Sequence, residues 1–285
     1  MGTPERGESR RQRFIRALRR RLWAYPLIYA GLCLLLFIFQ RTFQYPGDGS
    51  PVPLPASATA TGLREVELRS SDGLRLFGWY LPGRREGTIV LFHGNGGHRG
   101  LRLEWMEFIA EQGAGVFLLD YRGYGGSEGS PTEAGLYLDA EAAIAWVRAN
   151  CPGSIVLMGE SLGTGVAVEM ARRHDTAGLI IHAGFSSTVD VAQGHFFFIP
   201  VRWILLDRYE SAAKIGAIRA PKLFFHGRED GVVPYRHGEA LFAAAPEPKQ
   251  WVEIPGAGHD DLHLRDMPLY YGALREFLDR VLPPR

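Results

Sequence analysis

Short apolar runs alternate with longer amphipathic stretches along most of this chain, and no other feature limits its fold as strongly. The runs Thr88 to Phe92, Gly115 to Leu119, Ile155 to Met158, Leu179 to Ile181, Lys222 to Phe225 and Trp251 to Ile254 have the length and continuous apolarity of strands buried on both faces. Alternation of such strands with helical segments implies a mostly parallel, doubly wound sheet covered by helices on both sides, an α/β fold. Ahead of these runs, Arg64-Glu65-Val66-Glu67-Leu68 alternates polar and apolar, Ser71-Asp72-Gly73 can turn, and Leu74 to Leu81 follows. That pattern predicts an N-terminal antiparallel hairpin. Of the 285 residues, 46% are hydrophobic, enough for one large core, and residues 63–285 are read as a single domain. The clearest helix start is Ser130-Pro131-Thr132-Glu133, read as an N-cap serine, a proline in the first turn and a capping-box glutamate, with the helix running to about Asn150.

The chain before residue 63 has a different character. Residues 1–22 hold eight arginines and two glutamates, which leaves 24 basic and 29 acidic residues in the remainder. The folded part is therefore mildly acidic, and a nucleic-acid partner is not indicated, because phosphate binding needs positive charge clustered on the folded surface. Leu22 to Gln40 carries no charge, and its 19 residues cover about 28 Å as a helix, close to the hydrocarbon thickness of a bilayer. Trp23, Tyr25, Phe43 and Tyr45 stand at its edges, where interfacial aromatics belong. Residues 23–40 are accordingly read as one transmembrane helix, with Pro26 at its entry. A cleaved signal peptide is the alternative, but small-residue cleavage patterns occur only at Ala56-Ser57-Ala58 and Ala58-Thr59-Ala60, well downstream. The arginines place the N-terminus in the cytoplasm and the domain outside the membrane by the positive-inside rule. With 29 arginines against three lysines, the composition resembles that of a GC-rich bacterium, which would make the compartment periplasmic. Residues 46–62, rich in Pro, Gly, Ser, Ala and Thr, read as an extended tether. Cys33 lies in the span and Cys151 is alone in the domain, so no disulfide within the domain is available.

In a doubly wound sheet, chemistry collects at the carboxyl ends of the strands. Gly159-Glu160-Ser161-Leu162-Gly163 lies between the run ending at Met158 and a helical Thr164 to Arg173, the setting of a nucleophile elbow. A serine hydroxyl needs a base to take its proton, and the bend would expose Ser161 to one. Gly125-Gly126-Ser127-Glu128-Gly129 fits the same expression but has neither strand nor helix beside it, so Ser127 is read as a loop residue. After the strand ending at Phe92, His93-Gly94-Asn95-Gly96-Gly97 would turn backbone amides toward a ligand. The Asn95 amide, with that of Leu162 directly after the serine, is the expected oxyanion hole. The glycine spacing there, G-x-G-x-x-x-G, misses the dinucleotide fingerprint by one position. Asp230 follows the strand Lys222 to Phe225 and is chosen as the acid that orients the base, with Glu229 and, more distantly, Asp190 as alternatives. His259, in Gly256-Ala257-Gly258-His259 after the last strand, is the expected general base. His259 and His263 are four apart, but the loop glycines, the missing glutamate of H-E-x-x-H and the lack of a third ligand argue against zinc. No metal and no cofactor are expected.

Taken together, His93 to Gly97, Asp120-Tyr121-Arg122-Gly123-Tyr124-Gly125, Gly159 to Gly163, Asp230 and Gly258-His259 resemble the α/β-hydrolase superfamily over about Leu63 to Leu282. Within it the chain is most similar to the small-cap, membrane-anchored group of the budding-emergence-like proteins and the ABHD-class depalmitoylases. The resemblance implies a Ser161, Asp230 and His259 charge relay and acyl transfer to water. The animal depalmitoylases carry N-terminal cysteines for lipid attachment, which a spanning helix replaces here. Only 69 positions separate Ser161 from Asp230, which leaves no room for a large cap. Phe185 to Asp207, with Phe196, Phe197 and Trp203, is read as a short apolar lid shaping an acyl pocket near the membrane, ordinary core packing being the other reading. The expected substrate is a small-molecule or lipid acyl ester or thioester. A catalytically silent hydrolase-fold protein that binds at the membrane, and an acyltransferase using the same triad, remain as alternatives.

Overall fold

The computed structural model describes residues 10–282. The chain runs α1 (Arg10–Gln44), α2 (Ala58–Thr61), β1 (Arg64–Arg69), β2 (Arg75–Leu81), β3 (Gly87–Phe92), α3 (Leu103–Glu111), β4 (Gly115–Asp120), α4 (Glu133–Asn150), β5 (Ser154–Glu160) and α5 (Gly163–Arg173). It continues with β6 (Gly178–His182), α6 (Thr188–His195), α7 (Val201–Ile204), α8 (Ser211–Ile215), β7 (Lys222–Gly227), α9 (Tyr235–Ala244), β8 (Lys249–Ile254), α10 (Leu262–Arg265) and α11 (Met267–Val281). Eight strands form one sheet in the order β1-β2-β4-β3-β5-β6-β7-β8. The hairpin is antiparallel, β2 pairs antiparallel with β4, and every later pairing is parallel.

Burial explains the composition of each strand. β3, β4 and β7 are buried at every position, so their sequences are continuous apolar runs, whereas β1 at the edge alternates exposed and buried residues. Side chains within a strand point to opposite faces. Val90 and Phe92 join the core under α4, α5, α8 and α9, with Leu136, Val166, Ile215 and Leu241. Ile89 and Leu91 join the opposite core under α3 and α11, with Trp105, Ile109, Leu274 and Phe277. β3 lies between β4 and β5, so the chain leaves its carboxyl end in one direction and later returns on the other side. That reversal opens a crevice at the ends of β3 and β5, where the His93 loop and the Ser161 turn lie.

Four local features depart from the sequence reading. The cap of α4 is Thr132, whose hydroxyl accepts the Gly135 amide at 2.9 Å, in place of Ser130. Glu133 turns outward from the cap and accepts the amides of Arg208 and Tyr209 at 2.7 and 3.1 Å. The long helix begins well before residue 23, because Arg, Leu and Ala favour helix on both sides of Pro26, and that proline stands inside it. Leu22–Gln44 of α1 is long and apolar enough to cross a membrane. Residues 46–62, expected to form an extended tether, lie on the domain. Gly47 bridges to Gly97, the Asp48 and Gly49 carbonyls accept the Gly125 and Gly126 amides at 2.8 and 3.2 Å, and Val52 and Ala58 are buried. Small side chains leave the backbone of such a stretch accessible, and here its polar groups find partners in the glycine-rich turn at 123–126.

Candidate active site

β5 ends at Glu160 and α5 begins at Gly163, which forces the chain to reverse within two residues. Ser161 adopts φ +49°, a left-handed conformation costly for a residue with a side chain, and its amide is held by the His182 carbonyl at 2.9 Å. The flanking glycines are required by close approach. A Cβ on Gly163 would stand 2.0 Å from the Phe92 carbonyl oxygen, and one on Gly159 would stand 2.5 Å from that of Gly163. Strain at the serine and crowding beside it together present the hydroxyl at the sheet's carboxyl edge.

The structure brings Ser161, His259 and Asp230 into one chain of hydrogen bonds. His259 Nε2 lies 3.0 Å from Ser161 Oγ, and its Nδ1 lies 2.7 Å from Asp230 Oδ2. The other carboxylate oxygen, Oδ1, accepts the amides of Val232 and Val233 at 2.9 and 2.7 Å, and Asp230 is buried. Glu229 is exposed. Asp190 lies elsewhere, accepting hydrogen bonds from Ser186 and Ser187 and pairing with Arg202. Burial disfavours the His259 imidazolium, but the hydrogen bond to Asp230 and the charges of Asp230, Asp260 and Glu160 outweigh it, so the His259 pKa is raised above the ordinary histidine value.

Asn95 lines the same cavity as the serine. Its carbonyl accepts the Tyr124 hydroxyl at 3.0 Å, and its side-chain amide donates to the Gln44 carbonyl at the end of α1 at 3.3 Å. Leu162 follows the serine at the N-cap of α5, ahead of any intrahelical acceptor for its amide. Asp120-Tyr121-Arg122-Gly123-Tyr124-Gly125 is the scaffold of this loop. Asp120 pairs with Arg99 and with His93, Tyr121 donates to the His93 carbonyl at 3.1 Å, and Arg122 pairs with Asp139 and Asp72 at 2.8 Å each. Ser127, in the second G-x-S-x-G, accepts the Phe77 amide and donates to the Asp120 carbonyl, both at 2.9 Å, as a loop residue does.

Arg102 and Glu160, which carry no mark of a role in the sequence, complete the site. Arg102 grips Glu160, the residue before the serine, at 2.6 and 3.1 Å, and Glu160 also accepts the Gly94 amide at 2.8 Å. Burial alone would raise the Glu160 pKa, but the Arg102 charge and hydrogen bonds, His182 and the Gly94 amide hold it at about 2. An ionised Glu160 thus ties the loop after β3 to the turn after β5. The cavity beside Ser161 has a volume of about 450 Å³, and its walls include Leu101, Arg102, Glu104, Trp105, His263 and Leu264. His263 packs against Trp105 with ring centroids 5.1 Å apart and the planes tilted by 31°. Phe196, Phe197 and Trp203, expected to shape an acyl pocket, do not line this cavity and are exposed. Ile199 and Val201 explain why: they pack with Val189 against Cys33 and Leu36 of α1, which turns the neighbouring aromatics outward.

Known proteins agree with this architecture. Residues 83–206 match the family described as serine aminopeptidase, S33. The chain is 38% identical over 258 residues to the uncharacterized protein Rv2307c of Mycobacterium tuberculosis, covering 88% of this chain and 92% of that one. It is 33% identical over 278 residues to the uncharacterized protein YfhR of Escherichia coli, covering 92% and 95%. Among solved structures it is similar to the esterase Pf2001 of Pyrococcus furiosus, with a TM-score of 0.67 and 19% identity over 83% of this chain and 98% of that one. The chain belongs to one family with these two bacterial proteins, and its fold is that of the α/β-hydrolases.

Proposed function

We propose that the protein is a membrane-anchored serine hydrolase that cleaves carboxylic esters or thioesters through an acyl-Ser161 intermediate, without a cofactor. One observation carries this reading: His259 bridges Ser161 and a buried Asp230 at 3.0 and 2.7 Å, the contacts a base must make with its nucleophile and its orienting carboxylate. In the first step His259 Nε2 takes the Ser161 proton while Oγ bonds to the substrate's carbonyl carbon. The oxygen of the tetrahedral adduct is stabilised by the Asn95 and Leu162 amides, each such donor being worth about 2.7 to 4 kcal/mol. The imidazolium returns the proton to the departing alcohol or thiol, and the bond to the leaving group breaks. A water molecule, deprotonated by the same nitrogen, then releases the carboxylic acid and restores the serine. That the Pyrococcus furiosus neighbour is an esterase supports acyl-ester chemistry.

The apolar stretch Leu22–Gln44 supports anchoring, with the arginine-rich end in the cytoplasm and the catalytic domain outside, periplasmic in a bacterium. The apolar helix and the short connection between β6 and β7 together favour the small-cap, membrane-anchored group over soluble esterases.

A fluorophosphonate probe tests the chemistry. It is expected to label the full-length protein in detergent and to lose the label when Ser161 is alanine. p-Nitrophenyl esters are expected to turn over faster than an aminoacyl p-nitroanilide; the reverse order would move the reading to a peptidase. The pH profile tests the base. Only neutral His259 accepts a proton, so kcat/KM should fall as pH drops through its pKa, with the midpoint above the ordinary histidine value of about 6.5 because that pKa is raised. A midpoint below that value would contradict the Asp230 contact.

A further inference from the structure

We propose that the segment Phe196–Leu206 enters the lipid bilayer beside α1, so that the catalytic domain is held in the membrane at two places in one fixed orientation. The inference rests on the reading of α1 as a membrane helix. A single stripe of α1 faces the domain: Tyr29, Cys33, Leu36, Gln40 and Gln44 recur at helical spacing. Tyr29 donates to the Phe198 carbonyl at 2.6 Å, Gln40 donates to the Ile204 carbonyl at 3.1 Å and accepts the Leu206 amide at 2.7 Å, and Gln44 donates to the Asp207 carbonyl at 2.8 Å. Between them Cys33 and Leu36 pack on Val189, Ile199 and Val201. The contacts run from Tyr29 to Gln44, 16 residues of α1, or about 22 Å of its axis. Lipid around that length of α1 must also surround whatever is fixed to it.

The segment is suited to that setting. Phe197 is 83% and Trp203 88% exposed, and Phe196, Phe198 and Leu206 are each more than half exposed, beside the exposed Leu34, Leu35, Ile38, Phe39 and Phe43 of α1. Contiguous apolar surface of this kind marks contact with a membrane or a partner, and its continuity with an apolar helix long enough to span selects lipid. The backbone supplies an independent argument. Residues 196–200 are non-helical, yet the carbonyls of Phe196, Phe197 and Ile199 accept from Gln193 Nε2 at 3.2, 3.4 and 3.0 Å, and that of Phe198 accepts from Tyr29. A loop in water needs no such internal donors, whereas irregular backbone in hydrocarbon does. Arg202, the charged side chain on α7, is paired with Asp190 at 3.0 Å, so its charge is offset within the protein.

Site-directed spin labelling of the full-length protein decides the matter. In a background with Cys33 and Cys151 replaced by alanine, nitroxides are placed at Phe197→Cys, Trp203→Cys, Leu35→Cys on the outer face of α1, and Glu276→Cys, an exposed position of α11. Each variant is reconstituted in phosphatidylcholine and phosphatidylglycerol vesicles and checked for fluorophosphonate labelling. The expected result is a several-fold higher ratio of oxygen to nickel-chelate accessibility at 35, 197 and 203 than at 276. A lipid-like ratio at 35 with water-like ratios at 197 and 203 would overturn the inference and leave the anchor standing. A water-like ratio at 35 would overturn both.

Discussion

Replacing Ser161 with alanine is expected to lower kcat on the order of 10⁶-fold and to leave the fold unchanged. The backbone argument makes this substitution a clean one. Ser161 already adopts φ +49°, and alanine pays the same conformational cost there, while the amide keeps its bond to the His182 carbonyl. Gly159 and Gly163, which make the turn possible, are untouched. The hydroxyl contributes one contact, to His259 at 3.0 Å, and its loss leaves the cavity, Asn95 and Leu162 in place. Activity and stability should therefore separate, with ester hydrolysis and fluorophosphonate labelling lost and the melting temperature near that of the wild type. Full p-nitrophenyl ester activity in the alanine variant would end the assignment of Ser161.

The second large effect is expected at Asp230→Asn, with kcat reduced on the order of 10⁴-fold. The carboxylate is constrained on both oxygens. Oδ1 accepts the amides of Val232 and Val233, so an asparagine must keep its carbonyl oxygen on that side. Its NH₂ group then faces His259 Nδ1, which has to become an acceptor. The imidazole proton moves to Nε2, where it points at Ser161 and leaves no lone pair to take the serine proton. Nearby charge offers no rescue, because Glu229 is exposed and Asp190 is engaged with Ser186, Ser187 and Arg202. Steady-state kinetics, with the histidine proton resonances as a readout of the tautomer, check this. A loss below about tenfold would mean that Asp230 does not orient His259.

The residues that converge at the site were legible because each is announced by local chemistry. A glycine is needed where a Cβ would strike the Phe92 carbonyl, so the turn around Ser161 carries its own signature. Asp230 and His259 each follow an apolar run and stand in small, turn-forming sequence, which is how a strand end looks in one dimension. Arg102 and Glu160 carried no such mark. Their ion pair spans 58 positions, and an arginine in a surface helix turn looks like any solvated cation until the loop after β3 folds over it. Residues 46–62 lie on the domain for a related reason, since a stretch poor in large side chains can be free in water or pinned by its backbone, and composition describes both.

What the sequence alone determined is what periodicity and sterics decide locally: the strands buried on two faces, the opening hairpin, the bend at Ser161 and the order of the three polar residues along the chain. Tertiary structure decided which through-space partners each segment meets. It turned Phe196, Phe197 and Trp203 away from the cavity, because Ile199 and Val201 have their apolar partners on α1. It also joined Gln44 at the end of that helix to Asn95 beside the serine. Such contacts are set by how whole elements dock, and docking depends on the summed fit of many side chains, which no short window of sequence contains.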